Sequence, residues 1–304
     1  MKRLGRKIIG TVQAIGRGLS NVPMAESKCT GIGLALGGGF ARGIAHIGVI
    51  KVLEEENIPI QSVAGTSVGA LIGAAYCSGL CCDELYDIAM QVRFKHFASW
   101  TLSRYGFASN QRMIGFLNRI LKVKTFEELR IPLAVTATDF SNGDAVVFRS
   151  GPLVDPVRAS CAYPGMFLPV KIDGRLLIDG MLAHPVPSVP LREMGASRVL
   201  AVHLKGNWIN GDGPRHLFDV IGQCFAIAQE KTSDRWKQAA DLVIEPDVTG
   251  FKYDDFERTA ELIRMGEVVA RAAIPELRKW IDGKTAANQV LKTSLPQTVV
   301  APAE

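Results

Sequence analysis

Short apolar runs alternate with helical patterns along the first part of the chain. The run 32–36 is followed by a helical pattern that includes Ile44 and Val52, and the run 60–64 is followed by the small apolar segment 68–75. Strands that alternate with helices in this way are typical of a parallel sheet covered by helices. The pattern therefore predicts an α/β fold with a central, mostly parallel sheet.

Turn signals predict two β-hairpins further along the chain, at 132–148 and 171–178. An Asn-Gly pair at 142–143 and an Asp-Gly pair at 173–174 provide the turns, because tight hairpins favour these dipeptides. A helical pattern lies between the two hairpins. The later elements are two buried strands and one long helix, at 198–204, 241–245 and 254–282.

The segment 83–121 carries helical patterns on either side of a polar loop at 103–110, with no strand pattern. Because it follows the strand-turn-helix unit directly, we expect it to cap the functional site. The whole chain is predicted to consist of three parts: a basic amphipathic segment at 1–27, a single domain at 28–282, and a loose, polar tail at 283–304.

The excess positive charge lies in the first twenty residues. The chain of 304 residues has a net charge of +5. Five basic residues in the tail account for that excess: Lys2, Arg3, Arg6, Lys7 and Arg17. The remaining chain is neutral, which argues against a nucleic-acid-binding face.

One apolar stripe follows a helical spacing through this tail, formed by Leu4, Ile8, Val12, Ile15 and Leu19. A basic amphipathic helix that contacts a membrane surface through residues 1–20 is one interpretation. A partly disordered tail is the other, because its glycines disfavour a helix. No apolar run in the sequence approaches the roughly 18 residues that a membrane-spanning helix requires.

The six cysteines form neither a C-x-x-C pair nor a zinc-type spacing with histidine. We interpret them as small core residues in a reducing compartment. With no secretory signal, we predict a cytoplasmic protein, peripheral at the inner membrane face if the tail binds there. The sequence suggests no metal and no cofactor, so we expect calcium-independent activity.

Residues 65–69, Gly-Thr-Ser-Val-Gly, form the turn between the second strand and its helix. A G-x-S-x-G turn in this context is typical of a nucleophile elbow, which exposes the serine hydroxyl at the top of a sheet. The helix that follows supplies free N–H groups and a positive dipole end. Ser67 is the candidate nucleophile, and an ordinary glycine-rich turn is the alternative.

Residues 37–43, Gly-Gly-Gly-Phe-Ala-Arg-Gly, directly follow the first strand. A dinucleotide-binding motif would need glycine at Arg42, and a Walker loop would need lysine at Ile44. The remaining interpretation is an oxyanion hole, in which consecutive glycine amides point at one negative oxygen. Such a loop beside an elbow favours serine esterase chemistry over nucleotide binding.

A nucleophilic serine needs a base, which an acid or a histidine could supply. Asp179 followed by His203 or His216 would give the Ser-acid-His order of α/β-hydrolases. Two features oppose this triad: His203 lies in an apolar run typical of a core residue, and the elbow follows only the second strand. His184 stays a candidate, and His46 is interpreted as a neighbour of the site or an exposed residue.

The chain resembles the short bacterial patatin-like phospholipases over residues 31–193. The resemblance rests on three motifs in matching order and spacing, at 37–43, 65–69 and 179–180, and on the stretch 159–169. It implies a three-layer α/β fold and a Ser–Asp dyad in place of a triad. By this resemblance, Ser67 is the nucleophile and Asp179 the base.

The resemblance also assigns the glycine loop and its surroundings. The implied oxyanion hole consists of Gly37, Gly38 and Gly39. The implied supporting residues are Arg42, Gly43, Gly65, Gly69 and Gly180. Met181 departs from the family pattern of a small residue, and we expect its bulk to narrow the acyl channel or shift Asp179.

The dyad predicts an acyl-enzyme mechanism, because a buried carboxylate has a raised pKa and is a better base for the serine hydroxyl. The leading hypothesis is a lipid acyl hydrolase of phospholipase A or lysophospholipase type, acting on an acyl ester. An acyltransferase or thioesterase would use the same dyad. A regulatory protein that binds lipid without turnover is the third alternative.

Overall fold

The computed structural model describes residues 31–103, 106–205, 213–214, 217–231, 233–281 and 296–300. The predicted segment 1–27 lies outside these residues, as does most of 283–304. The strands in the described chain are β1 (Ile32–Leu36), β2 (Ile60–Thr66), β3 (Ser99–Ser103), β4 (Gly106–Ser109), β5 (Leu133–Asp139), β6 (Ala145–Phe148), β7 (Val170–Ile172), β8 (Arg175–Asp179), β9 (Val199–Val202), β10 (Leu242–Glu245) and β11 (Gln297–Val300).

Helices connect most of these strands. They are α1 (Ala45–Glu55), α2 (Val68–Cys77), α3 (Cys82–Gln91), α4 (Arg112–Ile120), α5 (Val154–Ser160), α6 (Ser188–Glu193), α7 (Leu217–Lys231), α8 (Asp234–Gln238) and α9 (Thr259–Ile281). Short 3₁₀ turns at Phe40–Ile44 and Gly180–Leu182 follow β1 and β8. Within the described residues, no helix combines the length and the apolar character needed to cross a bilayer.

The main sheet has nine strands, of which eight follow the order β11-β10-β9-β1-β2-β5-β8-β7. The six strands from β11 to β5 are parallel, and β8 and β7 continue the sheet in antiparallel pairs. Strand β6 also pairs with β5, antiparallel. The predictions of a mostly parallel α/β sheet and of two hairpins are confirmed.

Alternate residues of the central strands point to opposite faces of the sheet. Leu34 and Leu36 belong to a large apolar core that also contains residues of α1, α2 and α9. Ala35 belongs to a smaller core on the other face, together with Leu191 of α6 and Trp236 of α8. Helices therefore cover both faces, which gives the three-layer arrangement and leaves the strand ends free to form a site.

Helices α1 and α9 approach each other at a pair of glycines. A methyl group added to Gly48 would overlap the carbonyl oxygen of Ile263, and one added to Gly266 would overlap that of Ala45. Any larger residue at either position would push the two backbones apart. This contact fixes the long C-terminal helix against the first helix of the domain.

The prediction for 83–121 is wrong in one respect, since the strands β3 and β4 form an antiparallel hairpin there. Backbone bonds connect the hairpin to a distant segment: the amide of Ala108 donates to Met166 O at 2.8 Å, and that of Leu168 donates to Ala108 O at 3.1 Å. These bonds connect segments about sixty residues apart, so no local pattern contains them. The strand β3 itself does alternate polar and apolar residues, from Ser99 to Ser103.

Two smaller expectations also need correction. Gln297–Val300 is not loose, because it pairs in parallel with β10 as an edge strand. Among the described cysteines, Cys81 and Cys224 are exposed, so the interpretation as core residues fails for these two. It holds for Cys77, Cys82 and Cys161.

Candidate active site

Ser67 lies in a sharp turn between β2 and α2. Its backbone has φ 55° and ψ −124°, in a region that non-glycine residues enter at a cost of about 1–3 kcal/mol. Gly65 sits so close to the helix that an added methyl group would lie 2.5 Å from Ala70 Cα, and one on Gly69 would overlap Leu36 O. A nucleophile elbow requires this sharp strand-to-helix turn. The close contacts explain why residues 65 and 69, on either side of the turn, are glycines.

The hydroxyl of Ser67 donates a hydrogen bond to Asp179. Ser67 Oγ and Asp179 Oδ2 are 2.7 Å apart, and the backbone amide of Met181 donates to the other carboxylate oxygen at 2.9 Å. Asp179 ends β8, where it pairs with Ala137 of β5. The hairpin thus delivers the carboxylate to the serine, and the 3₁₀ turn that follows fixes its orientation.

The carboxylate of Asp179 is completely buried. Burial raises its pKa to about 7, and the hydrogen bonds from the Met181 amide and the Ser67 hydroxyl oppose that rise. A carboxylate with a pKa near neutrality is a far stronger base than one in water. It can therefore accept a proton from an adjacent alcohol during a reaction.

The glycine loop lies beside Ser67, but its amides are not all available to a ligand. The amide of Gly37 donates to Val202 O at 3.1 Å and that of Gly38 to Pro185 O at 3.2 Å. The expectation that all three glycine amides bind one oxygen therefore needs correction, because Gly37 continues the hydrogen bonding between β1 and β9. Among the described residues, the amide of Gly39 has no protein acceptor.

The predicted supporting residues hold the loops together. Arg42 is buried in the 3₁₀ turn, and burial lowers its pKa to about 10, which leaves it charged at neutral pH. A methyl group on Gly43 would overlap Val68, the first residue of α2. One on Gly180 would overlap the carbonyl oxygen of Thr136. Both glycines therefore permit close contact around the dyad.

Two further residues contact the dyad and the glycine loop. Ser160 was not assigned from the sequence, and His46, interpreted as a neighbour of the site or an exposed residue, is completely buried beside the loop. The hydroxyl oxygen of Ser160 accepts the backbone amide of Ser67 at 2.7 Å. His46 Nε2 donates to Gly37 O at 2.8 Å, and burial lowers the pKa of this histidine to about 4, so the ring is neutral. Ser160 falls in the stretch 159–169 of the family resemblance, which was its only sequence signal.

The histidines of the triad alternative have other partners. His203 Nδ1 is 2.7 Å from Glu245 Oε1. His184 is buried, and its carbonyl oxygen accepts from Thr66 Oγ1 at 2.7 Å. In the described part of the chain, no histidine side chain bonds Ser67. His216 lies outside that part.

An apolar cavity of about 120 Å³ opens beside Ser67. One face of α2 lines it, with Val68, Leu71, Ile72 and Ala75. The other walls come from α3, from α4 and from a group of aromatic side chains. The helices of the segment 83–121 thus form the walls of this cavity.

A second cavity, of about 280 Å³, lies at the glycine loop. Gly38, Gly39 and Met181 border it, and it contains the polar groups of Arg42, His203, Lys205, Gln223, Gln229, Glu230 and Ser233. Met181 lines this polar cavity and not the apolar one. The expectation that the bulk of Met181 narrows the acyl channel or shifts Asp179 stays a prediction, and in this structure the backbone amide of Met181 bonds the Asp179 carboxylate.

No group of three or more His, Cys, Asp or Glu side chains in the described residues could hold a metal ion. The groups that the structure brings together at this site are the side chains of Ser67 and Asp179 and the nearby backbone amides.

Comparison with known proteins identifies the family. Residues 34–191 match the family model of the patatin-like phospholipases, which is just over half of the 304 residues. The chain belongs to this family, as its sequence motifs predicted.

Relatives with recorded names agree with this assignment. An uncharacterised NTE family protein of Mycobacterium bovis is 36% identical over 179 residues, which cover 58% of this chain and 49% of that protein. A protein named lysophospholipase NTE1 from Mycosarcoma maydis is 30% identical over 72% of this chain and 12% of its own length. A patatin-like phospholipase domain-containing protein of Caenorhabditis elegans is 29% identical over 81% of this chain and 21% of its own.

The chain spans about half the length of the mycobacterial relative and about a fifth or less of the other two. Among solved structures, VipD from Legionella pneumophila matches with a TM-score of 0.49 and 14% identity, over 81% of this chain and 67% of that chain.

Proposed function

We propose that this protein is a serine lipid acyl hydrolase in which Asp179 is the base for Ser67. The observation that carries the proposal is the 2.7 Å hydrogen bond from Ser67 Oγ to the buried carboxylate. A serine held in an elbow and bonded to a carboxylate of raised pKa has the two features that nucleophilic catalysis requires. Membership in the phospholipase family supports an ester of a lipid as the substrate.

The proposed reaction has two halves. Asp179 takes the proton of Ser67 as Oγ attacks the ester carbonyl, and it returns that proton to the leaving alcohol. A water molecule, activated by the same carboxylate, then cleaves the acyl-enzyme. The amide of Met181 keeps the carboxylate in place during both steps.

The negative oxygen of the tetrahedral intermediate needs hydrogen-bond donors. The amide of Gly39 is the proposed donor from the glycine loop, since Gly37 and Gly38 donate to protein carbonyls in this structure. The amide of Val68 is the second, because it is the first residue of α2 and follows the nucleophile directly. Both lie on the segments that meet beside Ser67.

The two cavities support a single-chain lipid as substrate. The apolar cavity touches Ser67 and offers room for one acyl chain, while the polar cavity on the far side of the glycine loop offers a place for a polar head. A lysophospholipid has this division into one acyl chain and one polar head. The names of two relatives, a patatin-like phospholipase domain-containing protein and a lysophospholipase, are consistent with that class.

The test compares wild type with Ser67→Ala and Asp179→Asn on a short-chain nitrophenyl ester and a panel of phospholipids and lysophospholipids. We expect both variants to lose roughly a thousandfold or more in kcat, since groups that act as a unit fail together. A fluorophosphonate should label wild type at Ser67 and leave Ser67→Ala unlabelled.

Other outcomes would replace the proposal. Full activity of Asp179→Asn would exclude this base. Labelling without hydrolysis, together with transfer to an added alcohol or amine, would indicate an acyltransferase. A protein that binds lipid but neither labels nor turns over would be a regulatory lipid-binding protein.

The basic tail adds a separate proposal, which rests on the sequence alone. Residues 1–20 bring the protein to a membrane as an amphipathic helix. Flotation with liposomes should be stronger for the full chain than for a chain that starts at Glu26. Equal flotation would remove this role.

A further inference from the structure

Two large aromatic side chains are exposed on the hairpin β3–β4. Trp100 is 78% exposed and Phe107 is 51% exposed. Trp100 pairs with Ala108, so Trp100 and Phe107 lie on opposite faces of the hairpin. A single exposed apolar side chain is ordinary, but a short hairpin that presents a large aromatic ring on each face indicates a binding partner.

The hairpin stands beside the apolar cavity. The ring of Phe94 lies 6.4 Å from that of Trp100 and 6.0 Å from that of Phe167, and both phenylalanines line the cavity. The amides of Phe107 and Ala108 both donate to Met166 O. The exposed aromatic residues are therefore fixed at the wall of the space that would receive an acyl chain.

Further apolar residues extend this surface. Ile221 of α7 lies against Gly165, in the same loop that holds the hairpin. The exposed residues Leu217 and Val220 belong to the same end of α7. The first half of α7 thus lies beside the loop that holds the hairpin, and it carries exposed apolar side chains of its own.

Three basic residues accompany the hairpin: Arg93, Lys95 and Arg112, all of which are exposed. Arg112 Nη1 donates to Lys95 O at 3.2 Å and to Ala98 O at 3.5 Å, which places these cations at the base of β3. In the described residues none of the three forms an ion pair. The guanidinium of Arg93 donates to Met90 O and Val92 O, at the end of α3. Exposed cations on the segments that flank the hairpin are complementary to an anionic lipid surface.

We propose that the hairpin β3–β4 is a membrane-docking surface for anionic bilayers. Trp100 and Phe107 insert into the interface, where amphipathic aromatic rings are favoured, and the three cations contact lipid phosphates. Docking in this way places the cavity wall against the membrane that holds the substrate. The role of docking in bringing the cavity to its substrate rests on the proposed function, but the binding of the hairpin to a bilayer does not.

The experiment uses the full chain and vesicles of phosphatidylcholine, with and without phosphatidylglycerol. Bromine-labelled lipid quenches the fluorescence of tryptophan that enters the bilayer. We expect strong quenching with the anionic vesicles and a large loss of that quenching in Trp100→Phe, because the replacement keeps an aromatic ring but removes the reporter. The same quenching in Trp100→Phe as in wild type would overturn the proposal.

A second set of variants measures binding. Trp100→Ser combined with Phe107→Ser should lower partition into anionic vesicles by about tenfold or more, since the binding strength scales with the buried apolar area. Ile281→Ser is the matched control: Ile281 is exposed at the end of α9, near the ion pair of Arg278 with Glu56. Glu56 precedes β2, so this region lies at the strand ends opposite Ser67. Equal partition of the double variant and this control would contradict the docking role.

The result of the docking experiments can be distinguished from the result of the activity test of the proposed function. Ser67→Ala should dock as wild type does, with the same quenching. The double variant should keep its turnover of a soluble short-chain ester and lose turnover of a lysophospholipid presented in anionic vesicles. If wild type proves inert on every ester, the quenching and partition results still decide whether the hairpin docks.

Discussion

Three separate parts of the chain hold Ser67 in its strained conformation. Asp179 binds its hydroxyl, Ser160 accepts its amide, and the first turn of α2 donates to its carbonyl oxygen from the amides of Ala70 and Leu71. A conformation that costs about 1–3 kcal/mol persists only where several contacts fix it. The reactivity of the serine and the rigidity of its surroundings therefore have the same origin.

The raised pKa of Asp179 predicts how activity depends on pH. The proposed base is the ionised carboxylate of Asp179, and burial raises its pKa to about 7. Turnover should fall by about tenfold per pH unit below 7 and level off above it, because only the deprotonated form accepts the serine proton. The measurement is kcat/KM for an uncharged short-chain ester between pH 5 and 9. A profile that stays flat from pH 5 to 7 would contradict the assignment of this base.

Replacing Ser160 by alanine should weaken the elbow. The amide of Ser67 would lose its acceptor, and a buried unsatisfied N–H costs about 1–3 kcal/mol. We expect kcat to fall roughly tenfold with little change in KM, measured on the short-chain ester. Ser62→Ala is the control, since its hydroxyl is buried without a partner in the described residues. Equal kinetics of the two variants would exclude a positioning role for Ser160.

The sequence motifs pointed to Ser67 and Asp179, which the structure places 2.7 Å apart, but they gave no indication of the hydrogen bonds around them. Ser67 and Asp179 could be found in the sequence because each lies in a recognisable motif next to a strand end. The acceptors that occupy Gly37 and Gly38 belong to Val202 and to Pro185, far along the chain. Which amides are free thus depends on how distant strands pair, and no local pattern contains that information.

Helix α2 follows the proposed nucleophile, Ser67, and also lines the apolar cavity. Its first turn follows Ser67, and one face, from Val68 to Ala75, lines the cavity. Since a helix rises 1.5 Å per residue, this face extends about 10 Å away from the serine. In the proposed function an acyl chain lies along this face, so the length of the face limits the length of the chain. Ala75 lies at the end of the face far from Ser67.

Enlarging Ala75 should shorten the acyl chain that the protein prefers. Ala75→Phe would fill the far end of the cavity, and Ala75→Val would fill less of it. We expect the ratio of turnover for long to short nitrophenyl esters to fall about tenfold for phenylalanine, since a pocket discriminates by roughly 1–3 kcal/mol per methylene group. Valine should give an intermediate ratio. An unchanged ratio in both variants would place the acyl chain elsewhere.

The central strands gave a stronger signal in the sequence than the small hairpin did. Strands β1, β2 and β5 are buried on both faces, so each appears in the sequence as a short, largely apolar run. The hairpin β3–β4 is partly exposed and is held by the backbone of 166–168. Its first strand, Ser99–Ser103, alternates polar and apolar residues as a half-buried strand does, but this pattern spans only five residues between helical patterns.

At the scale of the whole molecule, the buried carboxylate of Asp179 opposes folding at neutral and alkaline pH. Its pKa rises from about 4 in the unfolded chain to about 7 in the folded one. Between these values the folded state binds more protons, so the contribution of Asp179 to stability is greatest below pH 4 and is lost as the pH rises to about 7.

Asp179→Asn should therefore stabilise the protein while abolishing activity. The amide keeps the shape and can still bond Ser67 and the Met181 amide. We expect a gain of roughly 2–4 kcal/mol in the free energy of unfolding at pH 8, and almost none at pH 4, from urea titrations. Asp139→Asn is the control, because the pKa of that carboxylate is lowered by Ser141. A gain at pH 8 no larger than the control's would contradict the raised pKa.

The position of β1 has a consequence for how the chain is made. Its neighbours in the sheet are β2 and β9, which lie about 30 and about 165 residues further along, and the contact through Gly48 and Gly266 needs α9 as well. During synthesis the first half of the domain therefore stays unpaired, with apolar surface exposed, until α9 has left the ribosome. Such long-range pairing slows folding and exposes intermediates to aggregation. Chaperones that shield nascent chains should matter more to the yield of this protein than to that of a helical bundle of equal size.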